Sequence, residues 1–286
     1  MTANRPLLFC RQSLRFAIFR SSWYKATWVI SIRRFAKSCI VFLMGRESRP
    51  RTIIRGLGAG YRICVSPAEN LGYLLGTHES HLQKIIQEHV AADDTVYDIG
   101  ANIGYISLLL ARQVGPRGRV FAFEPVLRNI GCFRENMQIN RINNVQLLEF
   151  AASDTRGEAV IRMTGNSSTA SLVWHRTDPE ATEYSIKTVS IDELVEAGGL
   201  GYPRFVKIDV EGSEGMVLRG MRRTIAAAKP VLFVECSELG RETAWPLLRE
   251  LGYRCQSAIT RKKIDAFEEY RHSDFLWLHQ EQHARG

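Results

Sequence analysis

Apolar positions recur with two different periods along the chain from about residue 80 onwards. Helix-like spacing falls on HLQKIIQEHV, IGYISLLLARQV and LRNIGCFRENMQIN, and short, almost continuously apolar runs alternate with these segments at TVYDIG, RVFAFEP and VQLLEF. Alternation of this kind predicts βαβ units that build a parallel sheet. Runs as apolar as VYDI and VFAF indicate that helices cover both faces of that sheet.

The pattern changes after Ala151 and then resumes. Three strand-like runs, GEAVIRM, SLVWH and YSIKTVSI, are separated by polar residues and predict an excursion from the main sheet. Strands and helices then alternate again through FVKIDVEG, EGMVLRGMRRTIAAA, PVLFVEC and ETAWPLLRELG, and the pattern ends on YRCQSAI and SDFLWLH. The predicted fold class is α/β, a doubly wound Rossmann-like sheet with an N-terminal helical extension.

That extension differs in charge from the rest of the chain. Residues 1–55 carry ten Arg and two Lys against the single acid Glu47, a net charge of +11, whereas the whole chain of 286 residues has +8. The remainder is therefore slightly acidic. Pro, Gly and charged residues in RESRPRTIIRGLGAG favour a linker, so the sequence predicts a basic amphipathic extension at 1–55 and one domain at 56–286.

Three interpretations of the extension remain open. It fits a basic helix on an anionic membrane surface, an Arg-rich organelle presequence, or a helix packed on the domain. No apolar run in it reaches the ~18–20 residues of a membrane-spanning helix. Six cysteines stand without a CxxC pair, which argues against a disulfide framework and a structural zinc site. We predict a cytoplasmic location, with peripheral contact at the inner membrane surface under the first interpretation.

The turn in VYDIGANIGY is the first candidate site. In a doubly wound sheet the first strand-to-helix turn lies at the crevice where ligands bind. Gly100 and Gly104 allow close backbone approach, while Asp98 is a poor neighbour for phosphate and a good one for a cationic group. Asn102 breaks the dinucleotide pattern GxGxxG, which weakens a nicotinamide oxidoreductase as an alternative. The turn therefore favours the sulfonium amino acid S-adenosylmethionine (SAM).

Two more acids follow the next two strands. Glu124 ends RVFAFEP, about twenty residues further on, where an acid can bind a ribose diol. Asp154 in AASD follows the third strand, where it can meet the adenine edge. Each acid alone is ordinary at a strand end, but three at successive strand ends indicate a nucleoside-binding site.

The motifs DIGANIGYISLLLA, GRVFAFEP, LRNIGCFRENMQIN, AASDTRGEA, RFVKIDVEGSEGMVLRGM and PVLFVE, in this order, resemble the FkbM family of SAM-dependent methyltransferases from about residue 70 to 253. The resemblance implies the class I fold, a seven-stranded sheet whose last hairpin strand is antiparallel, and methylation of hydroxyl oxygens of sugars or natural products. It also implies that Glu124 binds the ribose, that Asp154 binds the adenine, and that Glu79 in NLGYLLGTHE closes over the cofactor. The residues it assigns to the methionine end of SAM are Asp98, Gly100, Asn102 and Gly104.

The fourth strand supplies the predicted catalytic residues. A hydroxyl becomes a good nucleophile when a carboxylate takes its proton, and FVKIDVEGSE places Asp209 first and Glu211 second for that role. Lys207 lies on the same strand face as Asp209 and can pair with it or stabilise developing charge. The competing interpretation is that both acids cap the next helix. His78 is an alternative base, and Glu235 a candidate substrate contact. We predict no metal.

Function follows from these residues together. The segment after the fourth strand has no NPPY-like motif for gripping a flipped base, so nucleic acid is not predicted as a partner. The excursion at residues 157–190, with Trp174, His175 and Tyr184, is predicted to cover the acceptor site. The leading hypothesis is a SAM-dependent O-methyltransferase acting on a hydroxyl of a sugar, glycolipid or secondary metabolite. The alternative is a catalytically silent, membrane-associated protein of the same fold. Nothing in the sequence indicates an oligomeric state.

Overall fold

The structure, a computed structural model, describes residues 47–67, 71–164, 181–236, 238–266 and 272–281. In chain order the strands of the described residues are β1 (Arg49–Thr52), β2 (Arg62–Val65), β3 (Thr95–Ile99), β4 (Arg119–Phe123), β5 (Val145–Leu148), β6 (Ala151–Ser153), β7 (Gly157–Thr164), β8 (Ala181–Ser190), β9 (Phe205–Ile208), β10 (Val231–Glu235), β11 (Tyr253–Ser257), β12 (Lys263–Ile264) and β13 (Asp274–His279). The helices are α1 (Leu71–Leu75), α2 (Ser80–His89), α3 (Tyr105–Val114), α4 (Leu127–Ile139), α5 (Ile191–Glu196), α6 (Glu214–Gly220), α7 (Arg222–Ala228) and α8 (Glu238–Glu250).

The chain divides into two compact units. One comprises residues 1–49 and 65–71, of which the structure describes 47–49, 65–67 and 71, and the other comprises residues 50–64 and 72–286. All sites discussed below belong to the second unit. The three predicted interpretations of residues 1–55 fall almost wholly outside the described residues and stay predictions.

The main sheet has the strand order β12-β11-β13-β10-β9-β3-β4-β5. The strands from β10 to β5 in this order pair in parallel, while β13 runs antiparallel to both β10 and β11. This confirms the predicted doubly wound α/β fold with an antiparallel last hairpin strand. The predicted count of seven strands is one short, because Lys263 and Ile264 add a two-residue edge strand to β11.

Alternating side chains build the core on both faces of this sheet. Along β3, Tyr97 and Ile99 pack with Phe121 and Phe123 of β4 in the largest apolar cluster. The intervening residue Asp98 faces the other side and is fully buried. The chain order reverses at β3, which has β4 on one side and β9 on the other, so a crevice opens where these strands end.

The predicted excursion is a separate three-stranded sheet of order β6-β8-β7. Strand β8 pairs antiparallel with β7 and parallel with β6. The segment AAS, expected to continue the third strand, therefore belongs to this second sheet. Trp174 and His175 lie outside the described residues.

Two smaller expectations were wrong. The predicted linker at residues 46–60 contains β1. The Ile53 side chain in it is fully buried, and the Ile53 backbone forms hydrogen bonds with Gly60 and Tyr61. The predicted long helix from Glu214 is two helices that meet at Met221. At that break a Cβ on Gly220 would lie 1.8 Å from the Ser153 carbonyl oxygen, so glycine permits helix α6 to approach β6.

The burial of two leucines predicts very different losses in the free energy of unfolding when each is replaced by Ala. Leu248 of α8 is fully buried in the largest cluster, so Leu248→Ala should lower the free energy of unfolding by about 2–5 kcal/mol. Leu127 at the start of α4 is 80% exposed, and Leu127→Ala should change it by less than about 0.5 kcal/mol. Urea unfolding followed by circular dichroism measures both. Equal losses in the two variants would contradict the packing described here.

Candidate active site

A cleft opens at the carboxyl ends of β3, β4 and β9. Ligands of doubly wound sheets bind in a crevice at this position. Of the predicted site residues, those that line it are Gly100, Asn102, Glu124, Asp209 and Glu211. The structure thus brings together residues that are up to about 110 positions apart in the chain, as the strand order requires.

The turn after β3 has a backbone conformation that few residues adopt. Gly100, Asn102 and Gly104 have φ angles of 78°, 51° and 85°, all in the left-handed region. A Cβ on Gly100 would lie 1.8 Å from the Asp209 carbonyl oxygen, so the loops after β3 and β9 are in direct backbone contact. A Cβ on Gly104 would lie 2.8 Å from the ring of Phe133. The glycines therefore shape the turn and its packing together.

Glu124 holds this turn from the neighbouring strand. Its Oε2 accepts a hydrogen bond from the backbone N–H of Asn102 at 2.8 Å, and its Oε1 accepts bonds from the N–H of Val126 at 3.0 Å and from Asn129 at 3.1 Å. Burial raises the pKa of Glu124, although these bonds act in the opposite direction. The carboxylate fixes the geometry of the cleft wall that it lines.

Behind the cleft, a buried lysine lies between two carboxylates. Lys207 Nζ donates to the Gly100 carbonyl oxygen at 2.7 Å and lies 3.5 Å from Asp98 Oδ1 and 3.3 Å from Asp209 Oδ2. Burial lowers the pKa of Lys207, but Asp209, Asp98 and Glu79 outweigh it and raise the pKa above its usual range. The ammonium group is thus fully engaged inside the protein. It lies behind the cleft, since Lys207 is not among the lining residues.

Asp98 is fully buried, and both of its oxygens have partners within the protein. Its Oδ2 accepts a bond from the Ser107 hydroxyl at 2.6 Å, and its Oδ1 lies 3.5 Å from Lys207 Nζ. Burial raises the pKa of Asp98, and Lys207 and Ser107 oppose that shift. Asp98 itself does not line the cleft, whereas Asn102 does, and the Oδ1 of Asn102 is buried without a hydrogen-bond partner among the described residues. This acceptor fits a ligand that brings a hydrogen-bond donor.

Glu79 stands at the start of α2 in a left-handed conformation with φ 45°. Its Oε1 lies 3.1 Å from His78 Nε2, and its Oε2 is buried without a hydrogen-bond partner. Burial raises the pKa of Glu79, but His78 and Lys207 outweigh it and lower the pKa. Glu79 is not among the residues that line the cleft, and its predicted closing over the cofactor stays a prediction.

Asp154 also lies outside the lining residues. Its Oδ2 accepts two hydrogen bonds from the guanidinium of Arg219, at 3.0 and 2.8 Å. The cleft wall near it consists instead of Phe150, Ala151 and Ala152, together with Ile161 and Ile186 from the second sheet. These apolar residues were missed in the sequence, because they give no chemical signal beyond strand-like spacing.

The loop after β9 carries Asp209 and Glu211 into the cleft. Glu211 has a φ angle of 54°, and Asp209 and burial raise its pKa. Glu214, another residue that sequence reasoning missed, is fully buried and accepts a hydrogen bond from the N–H of Gly212 at 2.9 Å. Burial raises the pKa of Glu214 to about 7. This carboxyl group therefore holds the loop after β9 in place through its hydrogen bond to Gly212.

In the described part of the chain, no group of three or more His, Cys, Asp or Glu side chains is placed to hold a metal ion. No helix within those same ranges is both long and apolar enough to cross a membrane.

Residues 98–255, more than half of the chain, match the model of the methyltransferase FkbM domain. This chain belongs to that family. The matched range begins at Asp98 and includes Glu124, Asp154 and Asp209, so the carboxyl end of every strand that borders the cleft lies within the FkbM domain.

Two methyltransferases of known name are similar to this chain, each over only part of its length. The hexuronic acid methyltransferase AglP of Haloferax volcanii is 31% identical over 54% of this chain and 61% of its own length. The 2-O-methyltransferase NoeI of Sinorhizobium fredii is 26% identical over 51% of this chain and 64% of its own length. This chain thus spans less than two thirds of either relative.

Among solved structures, the methyltransferase FkbM from Methylobacillus flagellatus is similar with a TM-score of 0.43 and 20% identity, covering 65% of this chain and 44% of that one. The fold of the FkbM domain in this chain follows from its own strand order.

The close contact between the two loops predicts that Gly100 tolerates no side chain. Gly100→Ala would place a Cβ against the Asp209 carbonyl and strain a positive φ angle, and should lower the free energy of unfolding by more than about 2 kcal/mol. Gly131 in α4 is a matched control, since a Cβ there meets nothing within 4 Å. Gly131→Ala should leave stability unchanged or raise it by up to about 1 kcal/mol. Thermal and urea unfolding measure both variants, and a harmless Gly100→Ala would contradict the described turn.

Glu214 predicts a pH dependence of stability. Its folded pKa of about 7 lies above the ordinary value of 4.5, so the folded state keeps this proton to higher pH than the unfolded chain does. The stabilisation is full below about pH 4.5 and is lost as the pH rises to about 7, with an upper limit of about 3 kcal/mol. Glu214→Gln should remove this decline. Urea unfolding between pH 4 and 8 tests it, and parallel pH curves for both proteins would show that Glu214 does not titrate as described.

Proposed function

We propose that this chain transfers a methyl group from SAM to a hydroxyl group of a sugar, a glycolipid or a secondary metabolite. The observation that carries the proposal is the cleft at the carboxyl ends of β3, β4 and β9, which is lined by Glu124 and by Gly100 and Asn102 of a turn built from left-handed residues. The Oδ1 of Asn102 is buried without a hydrogen-bond partner among the described residues and can accept a bond from the ammonium group of an amino acid. Membership of the FkbM methyltransferase domain supports the same ligand.

The residues that line the cleft, together with those of the neighbouring turn, fit the parts of SAM. Asp98, Asn102 and the glycine turn would hold the methionine end, with the start of α3 toward its carboxylate. Glu124 would meet the ribose at the end of β4, where its carboxylate already lines the cleft. The apolar wall of Phe150, Ile161 and Ile186 offers a flat, dry surface to the adenine ring. Asp154 would reach the adenine edge only by giving up Arg219.

The acceptor class rests on the named relatives. By its name AglP methylates a hexuronic acid, and by its name NoeI transfers methyl groups to a 2-hydroxyl oxygen. A sugar hydroxyl as acceptor is a proposal for this chain, because the similarity spans only part of each relative. SAM, when bound, supplies an electrophilic methyl group, and the protein contributes the in-line orientation of the hydroxyl.

Asp209, Glu211 and Lys207 are proposed to serve the reaction from the loop after β9. Asp209 lines the cleft while one of its oxygens faces Lys207, so it can orient a ligand group with its charge already balanced. Glu211 lines the same cleft two residues later. Lys207 is 3% exposed, which makes it a positioning residue for Asp98 and Asp209.

A binding experiment tests the proposed cofactor. Isothermal titration calorimetry should show SAM binding to the wild type, and Glu124→Gln and Glu124→Ala should weaken it by about tenfold or more, because Gln replaces one of the two acceptor oxygens of Glu124 with a donor and Ala removes both. Glu149→Ala, at an exposed carboxylate paired with Arg134, is the control and should bind as the wild type does. Asp154→Ala shows whether that acid reaches the adenine.

The acceptor is tested in the same samples. Methyl-labelled SAM is incubated with glucuronic acid, galacturonic acid, their methyl glycosides and a set of natural-product alcohols, and methylated products are detected by mass spectrometry. Transfer to a hydroxyl oxygen is expected. A wild type that binds no SAM refutes the proposal, and one that binds SAM but methylates only nitrogen or carbon atoms of other compounds refutes the acceptor class.

A further inference from the structure

A second group of polar side chains lies next to Asp209, at the carboxyl end of β10 and the start of β13. In the parallel pair of β9 and β10, Lys207 stands opposite Phe233, so Asp209 and Glu235 are the next residues of that register on the same face. Across the antiparallel pair, Glu235 stands opposite Asp274. Three carboxylates therefore project from one face where these strands meet.

Two of the three carboxylates have a cationic or basic partner. Asp209 Oδ2 lies 3.3 Å from Lys207 Nζ, and Asp274 Oδ2 lies 2.8 Å from His81 Nε2. Glu235 accepts only a 3.3 Å hydrogen bond from the Ser273 hydroxyl at its Oε1, and no Lys, Arg or His of the described residues lies within ion-pair distance of it. Glu235 is thus the carboxylate whose second oxygen remains available.

Independent evidence points to a ligand at this face. The Oε2 of Glu79 is buried without a hydrogen-bond partner among the described residues, and the charge of Glu79 raises the pKa of both Lys207 and Glu235. A hydrogen-bond donor of an organic ligand can supply the missing partner of this oxygen.

We propose that Glu235 accepts the proton of the acceptor hydroxyl during methyl transfer. This inference rests on the proposed function and replaces Asp209 in that role. A lone pair of the hydroxyl oxygen forms the new bond to the methyl carbon, and the bond from that carbon to sulfur breaks with its electron pair going to sulfur. The sulfonium becomes a neutral thioether, and the hydroxyl proton moves to Glu235. No other reactant is needed.

The electrostatics of the face support this role. Burial raises the pKa of Glu235, and Asp209, Asp274 and Glu79 raise it further against Lys207, to about 8. A proton acceptor works best when its pKa lies near the working pH. Asp209, by contrast, has an ammonium group 3.3 Å from one oxygen, so its charge is already compensated before a substrate arrives.

Two ligands test the position of Glu235 without any turnover. S-adenosylhomocysteine lacks the methyl group, while sinefungin carries a primary ammonium group where SAM carries its methyl-sulfonium. In calorimetric titrations Glu235→Gln should bind S-adenosylhomocysteine within about twofold of the wild type and lose about tenfold or more in affinity for sinefungin. The loss should grow between pH 6 and 8.5, since Glu235 becomes charged as the pH rises through about 8. Glu250→Gln, at an exposed ion pair with Arg222, is the control.

The outcomes separate this inference from the proposed function. If the wild type binds neither ligand, the proposed SAM site is wrong and this inference falls with it. If both ligands bind and Glu235→Gln leaves the ratio of the affinities for sinefungin and S-adenosylhomocysteine unchanged, Glu235 does not face the methyl position and the inference alone is refuted. If Asp209→Asn lowers that ratio and Glu235→Gln does not, Asp209 is the proton acceptor. With an acceptor from the panel, Glu235→Gln should lower kcat by about 10²–10⁴-fold at an unchanged KM for SAM.

Discussion

The buried ammonium group of Lys207 is the interaction on which the candidate site depends. It stands in β9, inside a sheet that is covered on both faces, where an unpaired charge would be very unfavourable. Asp98 from β3 and Asp209 from the end of β9 compensate it, and the carbonyl oxygen of Gly100 accepts its hydrogen bond. One side chain therefore fixes the relative position of both loops that border the cleft. Removing Lys207 would leave the buried carboxylate of Asp98 without its cationic partner.

A second constraint acts on the same two loops through the backbone. The Asp209 carbonyl occupies the space that a side chain at position 100 would need. The left-handed residues of the turn aim its backbone toward the cleft, and Glu124 holds one of its N–H groups from β4. Charge pairing and close packing thus preorganise the site before a ligand binds. A preorganised site spends less binding free energy on ordering its own residues.

Sequence reasoning predicted the sheet because the apolar runs of β3, β4 and β9 are long and continuous and their helices amphipathic. It also predicted the acids at the strand ends, since strand order alone places the carboxyl ends of parallel strands at one edge. It predicted that Lys207 can pair with Asp209, and these side chains lie 3.3 Å apart. It could not predict that Asp154 is held by Arg219, or that Lys207 also pairs with the buried Asp98, because these contacts depend on side-chain directions. Phe150, Ile161 and Ile186 were missed for a similar reason: only the position of the second sheet makes them part of the cleft.

The carboxylates around β9 and β10 divide into groups by their surroundings. Asp209 lies 3.3 Å from the ammonium group of Lys207 and holds neighbouring elements in place, whereas Glu214 and Glu235 sit where burial favours the protonated form near neutral pH. Glu214 is fully buried and bonded to the backbone, so its proton serves stability. Glu235 is partly exposed at the open edge, so its proton can exchange with a ligand. Glu214 and Glu235 therefore serve different purposes although both pKa values are raised, because only Glu235 is accessible at the carboxyl end of its strand.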